Sequence, residues 1–217
     1  MKEIVPTIFA TDIETFEKKL KLLSKITNKI HLDFMDGKFT KNKSISFSEM
    51  KNIQNYKNIF FETHLMAFDP IKYIPQIKEL GIKKAYIQME AFENDTQIKS
   101  SIETFKKENI EIALVINPTT PIEVTYPFVE QIDSLLIMSV IPGKEGQKFL
   151  KSVLFKIEEI KEKYPNLTIE VDGGVNDDNA KEIFKVGTNI LNVGSFISSN
   201  KDPKQAYEKL KEIADKN

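Results

Sequence analysis

Two short runs near the middle of the chain, Ala113-Leu114-Val115-Ile116 and Leu135-Leu136-Ile137-Met138, are apolar at every position. A strand with one face in water alternates apolar and polar residues, whereas a parallel strand covered by helices on both faces does not. The two runs therefore predict buried parallel strands, of the kind found in α/β proteins.

Six further β-rich segments extend this pattern along the whole chain. The predicted strands cover residues 3–9, 29–35, 59–66, 84–89, 111–117, 134–140, 168–173 and 190–194. Amphipathic segments with helical spacing lie between most of them, and this alternation predicts βαβ units. We predict a single (β/α)₈ TIM barrel domain over residues 1–217. An open doubly wound sheet is the alternative, although no GxGxxG or Walker-type loop follows the first strand.

Composition narrows the classes of function. The formal net charge of −1 gives no reason to expect binding to nucleic acid or to an anionic membrane. The absence of Cys excludes disulfides, thiolate metal sites and a Cys nucleophile. All 31 basic residues are Lys, so a bound phosphate has to be held by backbone N–H groups or Lys. Residues 1–6 do not read as a signal peptide and no apolar run has membrane-span length, so we expect a cytoplasmic protein.

Polar residues fall at the ends of the second and third predicted strands. His31 and Asp33 are two apart and so share a face, and His64 ends the next strand with Glu62 on the same face. Polar side chains directed into a barrel interior need partners. A metal ion is one explanation for His31 and Asp33, and a hydrogen-bonded His–Asp pair is the other.

The seventh and eighth predicted strands end in glycine-rich segments. Asp172 is followed by Gly173-Gly174, and a helix start near Asn176 is expected to offer free N–H groups to an anion. Gly194-Ser195 ends the eighth strand, and barrels often bind phosphate with the loops after these two strands. The ordinary alternative is a turn capped by Asp172.

The ends of the second, third and seventh predicted strands together supply two imidazoles, His31 and His64, and two carboxylates, Asp33 and Asp172. This set of side chains would suit Zn²⁺, Fe²⁺, Mn²⁺ or Co²⁺.

Taken in order, these segments resemble the ribulose-phosphate 3-epimerase family almost from end to end. The matching segments are Pro6-Thr7-Ile8-Phe9, His31-Leu32-Asp33-Phe34-Met35-Asp36-Gly37, His64-Leu65-Met66, Asn117-Pro118-Thr119-Thr120-Pro121, Met138-Ser139-Val140, Pro142-Gly143, Gly146-Gln147, Glu170-Val171-Asp172-Gly173-Gly174 and Gly194-Ser195. The resemblance implies a barrel of the ribulose-phosphate-binding type. It also implies an isomerase that converts D-ribulose 5-phosphate into D-xylulose 5-phosphate through an enediolate, and a homo-oligomer.

The same resemblance implies a role for each site residue. It implies one divalent metal ion bound by His31, Asp33, His64 and Asp172, with Asp33 and Asp172 as the catalytic acid–base pair. The implied substrate and phosphate site consists of Thr7, His64, Gly143, Lys144, Glu145, Gly146, Gly173, Gly174, Gly194 and Ser195. The loop 143–146 would close over the substrate. Met35, Met66 and Met138 would line the pocket around the reacting carbons.

Several positions depart from the family pattern. Thr7 replaces the usual Ser but keeps the hydroxyl, and Gln88 stands where His is usual. In the lid, Ile141, Lys144 and Glu145 replace Asn, an aromatic residue and Gly. The metal and acid–base positions thus match the family pattern, whereas the substrate-covering positions depart from it. A 3-epimerase of another ketose phosphate, such as allulose 6-phosphate, and a non-catalytic sugar-phosphate-binding barrel are the alternatives.

A third alternative is an enzyme of the group related to orotidine-phosphate decarboxylase, which has a similar barrel. That group uses a D-x-K-x-x-D motif. Asp33 and Asp36 are present here, but Phe34-Met35 supply no Lys between them. The sequence therefore disfavours this group.

Overall fold

The computed structural model describes residues 2–217, so that Met1 of the predicted domain lies outside the described residues. Eight parallel strands close into a barrel in the order β1 to β8, with β1 beside β8. Their bounds are β1 Glu3–Ile8, β2 Lys29–Met35, β3 Phe60–Met66, β4 Lys84–Gln88, β5 Glu111–Ile116, β6 Ser134–Met138, β7 Ile169–Asp172 and β8 Ile190–Val193. The predicted (β/α)₈ barrel is confirmed.

Helices cover the outside of the barrel. They are α1 Ile13–Leu23, α2 Ile74–Leu80, α3 Asp95–Lys107, α4 Val153–Lys163, α5 Ala180–Lys185, α6 Ser195–Ser198 and α7 Pro203–Asp215. Four 3₁₀ segments, Glu49–Asn55, Pro70–Tyr73, Met89–Ala91 and Ile122–Gln131, complete the connections. The expected helix start near Asn176 is wrong, because α5 begins only at Ala180.

The core has two layers because alternate strand residues face opposite ways. The outer layer packs apolar strand residues such as Leu32 and Leu65 against the helices. The smaller inner layer contains Tyr86, Val115 and Leu136 inside the barrel. The remaining inward positions are mostly polar, and this determines what the barrel interior can bind.

Glu170 of β7 forms a buried polar network inside the barrel. Its carboxylate accepts hydrogen bonds from Lys84 Nζ at 2.6 Å, Ser134 Oγ at 2.6 Å and Tyr86 Oη at 2.9 Å. Burial favours the protonated form, but the charge of Lys84 and these hydrogen bonds outweigh burial and lower the pKa of Glu170. The carboxylate is therefore charged and well partnered, as a buried ion needs to be.

Removing this charge is expected to destabilise the barrel strongly. Glu170→Gln leaves the Lys84 ammonium buried without a counter-ion, at a cost of about 3 kcal/mol in the free energy of unfolding. Urea unfolding measures the loss. Glu182→Gln is the control, because it breaks an exposed pair with Lys151 and should change stability by no more than about 0.5 kcal/mol. Equal losses in the two variants would contradict a stabilising role for the buried pair.

Candidate functional site

Four predicted metal ligands meet at the carboxyl ends of the strands. His31 and Asp33 lie on β2, His64 on β3 and Asp172 on β7, and one potential ligand atom from each lies within 4.8 Å of the others. Asp33 and His64 are register partners on adjacent strands. Closure of the barrel then brings Asp172 to the same place. The sequence predicted this grouping, and the ligand roles stay a prediction.

Three atoms of this cluster are buried without a hydrogen-bond partner among residues 2–217. They are His31 Nε2, Asp33 Oδ1 and His64 Nδ1. The distance from Asp33 Oδ1 to His64 Nδ1 is 3.5 Å, and to His31 Nε2 it is 3.7 Å. Buried polar atoms are nearly always partnered. Two imidazole nitrogens and two carboxylates converging in this way fit a divalent transition metal.

Glu62 orients one of the imidazoles. Its Oε1 is 2.8 Å from Nδ1 of His31, and both side chains are fully buried. A carboxylate only accepts, so Nδ1 carries the proton and Nε2 faces the cluster. The sequence placed Glu62 on the same face as His64 without assigning it this partner. Its pairing with His31 depends on the β2–β3 register, which pairs the two residues directly.

The cluster shifts the pKa values of its members. Burial, followed by the charge of Asp33, raises the pKa of Asp172 to about 8. Burial alone would lower the pKa of His31, but the hydrogen bond and charge of Glu62 outweigh it and raise this pKa to about 9. Burial lowers the pKa of His64. In the metal-free protein at neutral pH, a cation must therefore displace protons from His31 and Asp172.

A pocket opens directly above the cluster, and nearly all the predicted substrate residues line it. Its walls include Thr7, Met35, Met66, Met138, Gly143, Lys144, Glu145, Gly146, Gly173, Gly174, Gly194 and Ser195, together with Asp33 and Asp172. His64 is fully buried below this lining. The hydroxyl of Thr7 is buried without a partner among residues 2–217. Asn192 and Gln147 also line the pocket and were not predicted from the sequence.

The two glycines after β7 are required by close contacts. Gly173 has a φ of +114°, and a Cβ there would collide with the side chain of Val140. Gly174 has a φ of +65°, and a Cβ there would collide with the backbone of Phe149. This turn therefore packs against the chain that follows β6, and only glycine fits at both positions.

The amides expected to bind an anion near Asn176 are already used. Asn176 Oδ1 accepts hydrogen bonds from the backbone N–H groups of Asp178 and Asn179. Asn179 Oδ1 in turn accepts from the backbone N–H of Asn176. Side chains thus satisfy these groups before α5 begins, which corrects the expectation that they are free.

Glu145 of the predicted lid reaches into the pocket. Its Oε2 is 3.0 Å from Nζ of Lys19, and the same ammonium donates to the Phe9 carbonyl at 2.8 Å. Its Oε1 lies over Gly194, 3.2 Å from the point where a Cβ on that residue would stand. The predicted phosphate position at Gly194 is therefore next to a carboxylate and a lysine. The sequence did not indicate Lys19, which is 126 residues from Glu145.

Comparisons with known proteins agree with the resemblance seen in the sequence. A model of the ribulose-phosphate 3 epimerase family matches residues 3–198. A ribulose-phosphate 3-epimerase from Schizosaccharomyces pombe is 32% identical, covering 96% of this chain and 92% of that protein. One from Bacillus subtilis is 31% identical, covering 97% and 99%.

Solved structures of other enzymes share the fold at low identity. The 3-hexulose-6-phosphate synthase of Salmonella typhimurium superimposes with a TM-score of 0.75 at 14% identity and 99% coverage of both chains. Orotidine 5'-phosphate decarboxylase from Pyrococcus horikoshii gives a TM-score of 0.68 at 14% identity, covering 98% and 99%. These likenesses concern the fold alone. Within residues 2–217, every helix is too short or too polar to cross a membrane.

The metal-free protein is expected to lose stability as the pH rises from 6.5 to about 8. Folding raises the pKa of His31 from 6.5 to about 9, so its stabilisation is complete below pH 6.5 and is lost towards pH 9. Folding raises the pKa of Asp172 from 3.8 to about 8, and stability therefore falls with pH in that window too.

Urea unfolding in a chelating buffer at both pH values tests this expectation. The Asp172→Asn variant is the control and should show a weaker pH dependence, because one of the two titrating groups is gone. A free energy of unfolding that rises with pH would contradict the assignment of raised pKa values.

Proposed function

The chain belongs to the ribulose-phosphate 3-epimerase family, and from this we propose that it inverts C3 of D-ribulose 5-phosphate to give D-xylulose 5-phosphate. The observation that carries the proposal is the meeting of Asp33 and Asp172 at the base of a pocket, beside two imidazoles. Two carboxyl groups supply what inversion requires, which is removal of a proton from one face of a carbon and its return to the other.

The two carboxyl groups have complementary parts in this proposal. One carboxylate accepts the proton as the C3–H bond breaks, and the electron pair passes into an enediolate across C2 and C3. The other, protonated carboxyl gives a proton to the opposite face of C3. No electrons are lost, so no redox partner is needed.

His31, Asp33, His64 and Asp172 would hold one divalent metal ion in this reaction. When bound, such an ion supplies Lewis-acid stabilisation of the negative charge that develops on the substrate oxygens. Glu62 holds His31 with Nε2 towards the site. The identity of the ion is left open by the donor set, which suits Zn²⁺, Fe²⁺, Mn²⁺ and Co²⁺.

The rest of the pocket would bind and shield the substrate. Gly173, Gly174, Gly194 and Ser195 line the pocket, and their backbone N–H groups would hold the phosphate, because the chain has no arginine. Met35, Met66 and Met138 line the pocket, and in this proposal their thioethers would lie around the reacting carbons. Thioethers are weak acceptors and do not compete for the protons of the reaction.

One observation favours a second substrate. Glu145 brings a carboxylate into the pocket where the family usually has glycine, and it lies over Gly194. A ketose phosphate with more hydroxyl groups, such as allulose 6-phosphate, offers additional donors to that carboxylate. C3 epimerisation of this sugar is therefore the second candidate, with the same reaction and the same carboxyl pair.

Isotope exchange at C3 distinguishes these possibilities. Metal-loaded protein is incubated with each sugar phosphate in deuterated water and C3 is followed by NMR, with chelator-treated protein as the control. We expect metal-dependent deuterium at C3 and xylulose 5-phosphate as product, and a loss of at least about 100-fold in kcat for Asp172→Asn. Faster turnover of allulose 6-phosphate would favour the second candidate. Binding without exchange of either sugar would indicate a non-catalytic barrel.

Glu145→Gln is expected to lower KM for the sugar phosphate with a smaller change in kcat. The substitution removes a negative charge beside the proposed phosphate position and frees the Lys19 ammonium. The gain of one such partly exposed ion pair, about 1 kcal/mol, corresponds to a KM about fivefold lower. Steady-state kinetics measures this.

Lys19→Met tests the same contact from its other side. It leaves the Glu145 carboxylate in place without its counter-ion, so KM should rise instead of falling. Glu182→Gln serves as the control for a distant exposed carboxylate. If Glu145→Gln raises KM instead, the carboxylate binds the substrate directly, as the allulose 6-phosphate candidate requires.

A further inference from the structure

Gln88 sits below the proposed metal centre with an unusual set of contacts. It ends β4, is fully buried, and its Nε2 lies 3.0 Å from Nε2 of His64. Its other amide atom, Oε1, is buried without a hydrogen-bond partner among residues 2–217. A buried amide oxygen without a partner is costly and calls for an explanation.

Taken as a hydrogen bond from the Gln88 amide, this contact implies one tautomer of His64. An amide nitrogen only donates, so Nε2 of His64 must be the acceptor, and in a neutral ring the proton is then on Nδ1. That N–H points to Asp33 Oδ1, which is 3.5 Å away. In this arrangement Nδ1 has no lone pair available for a cation, although Nδ1 is the nitrogen that faces the cluster.

Ligation of a metal requires the opposite arrangement. Nδ1 of His64 must be free of its proton, so the proton moves to Nε2, and Nε2 then faces the Gln88 amide as a donor. Two N–H groups would point at each other across 3.0 Å. Half a turn of the amide about its terminal bond removes this conflict and gives the unpartnered Oε1 a donor.

We propose that Gln88 is a positioning residue whose amide turns over when a divalent cation binds, so that Oε1 accepts from Nε2–H of His64. The inference rests on the metal centre of the proposed function. The ring stays neutral throughout, and only the site of its proton changes. Gln88 thus lets the fully buried His64 be hydrogen-bonded in both the metal-free and the metal-bound state.

The two imidazoles of the site are held by different means. Glu62 can only accept, so His31 keeps its proton on Nδ1 in either state. Gln88 can donate or accept, so His64 can change tautomer. An acceptor-only residue at position 88 would favour the metal-bound tautomer alone, and an apolar residue would favour neither. The side chain at this position therefore sets the metal affinity.

Nitrogen NMR of the imidazoles tests the tautomer change directly. His31 and His64 are the only histidines in the chain, so ¹⁵N-histidine labelling gives two rings, and a His31→Asn variant assigns them. Zinc is the probe because it is diamagnetic. We expect metal-free His64 to carry its proton on Nδ1 and zinc-loaded His64 to carry it on Nε2. Bound zinc with an unchanged His64 tautomer would overturn the proposal and leave the metal centre standing.

Zinc affinity of position-88 variants provides the second measurement. Gln88→Met should weaken zinc binding about 10- to 100-fold, as loss of a hydrogen bond to a metal-bound histidine does elsewhere. Gln88→Glu, which can only accept, should bind zinc at least as tightly as the unaltered protein. Gln205→Met on the exposed face of α7 is the control. Competition with a chromogenic chelator gives the affinities, and circular dichroism verifies folding.

The possible results distinguish a failure of the proposed role of Gln88 from a failure of the proposed metal centre. Normal zinc affinity in Gln88→Met, or a tenfold weaker affinity in Gln88→Glu, would refute the role of Gln88 only. If Gln88→Met does not fold, the Gln88→Glu affinity and the tautomer measurement still decide. No zinc binding by the unaltered protein would remove the metal centre itself, and the inference with it.

Discussion

Closing eight parallel strands into a barrel sends every second side chain into an interior that water does not fill. Each polar group placed there must find a partner or lose free energy. Glu170 meets this requirement completely, with Lys84, Ser134 and Tyr86 around one carboxylate. The partners come from two strands, Lys84 and Tyr86 from β4 and Ser134 from β6, so that the network links three strands of the barrel. The polar groups of this network are hydrogen-bonded to one another. They lie below His31, Asp33 and His64, whose side chains are only partly hydrogen-bonded.

At the mouth of the barrel, only some of the buried polar groups have hydrogen-bond partners, and the proposed reactive site lies there. Glu62 partners His31, yet nitrogens of His31 and His64 and an oxygen of Asp33 are left facing one another. Within one barrel interior, the polar groups of the Glu170 network are hydrogen-bonded to one another, whereas those of the proposed reactive site are paired only in part. The raised pKa of Asp172 arises from the same crowding, because burial and the neighbouring Asp33 both favour its protonated form.

The sequence predicted features that depend on strand periodicity. His31 and Asp33 share a face because side chains alternate along a strand, and closure of the barrel brings Asp172 beside them. Contacts between long side chains of residues far apart in the chain could not be predicted from the sequence. Lys19 meets Glu145 across 126 positions, through two long side chains that no periodicity constrains. The start of α5 was misplaced because the Asn176 side chain forms its own turn, which competes with helix at that position.

Two departures from the family pattern, Gln88 and Glu145, lie beside the four residues to which the resemblance assigns metal binding and acid–base chemistry, and are not among them. Gln88 is fully buried and contacts His64, and Glu145 contacts Lys19 above Gly194. A change at such a position leaves the reacting groups in place and alters what surrounds them. In the proposed function, the reaction class would follow from the cluster of two histidines and two aspartates, whereas metal affinity and substrate preference would depend on Gln88 and Glu145. A sequence pattern does not give the position of the proton on His64, because this position depends on which atom of the Gln88 amide faces the imidazole ring.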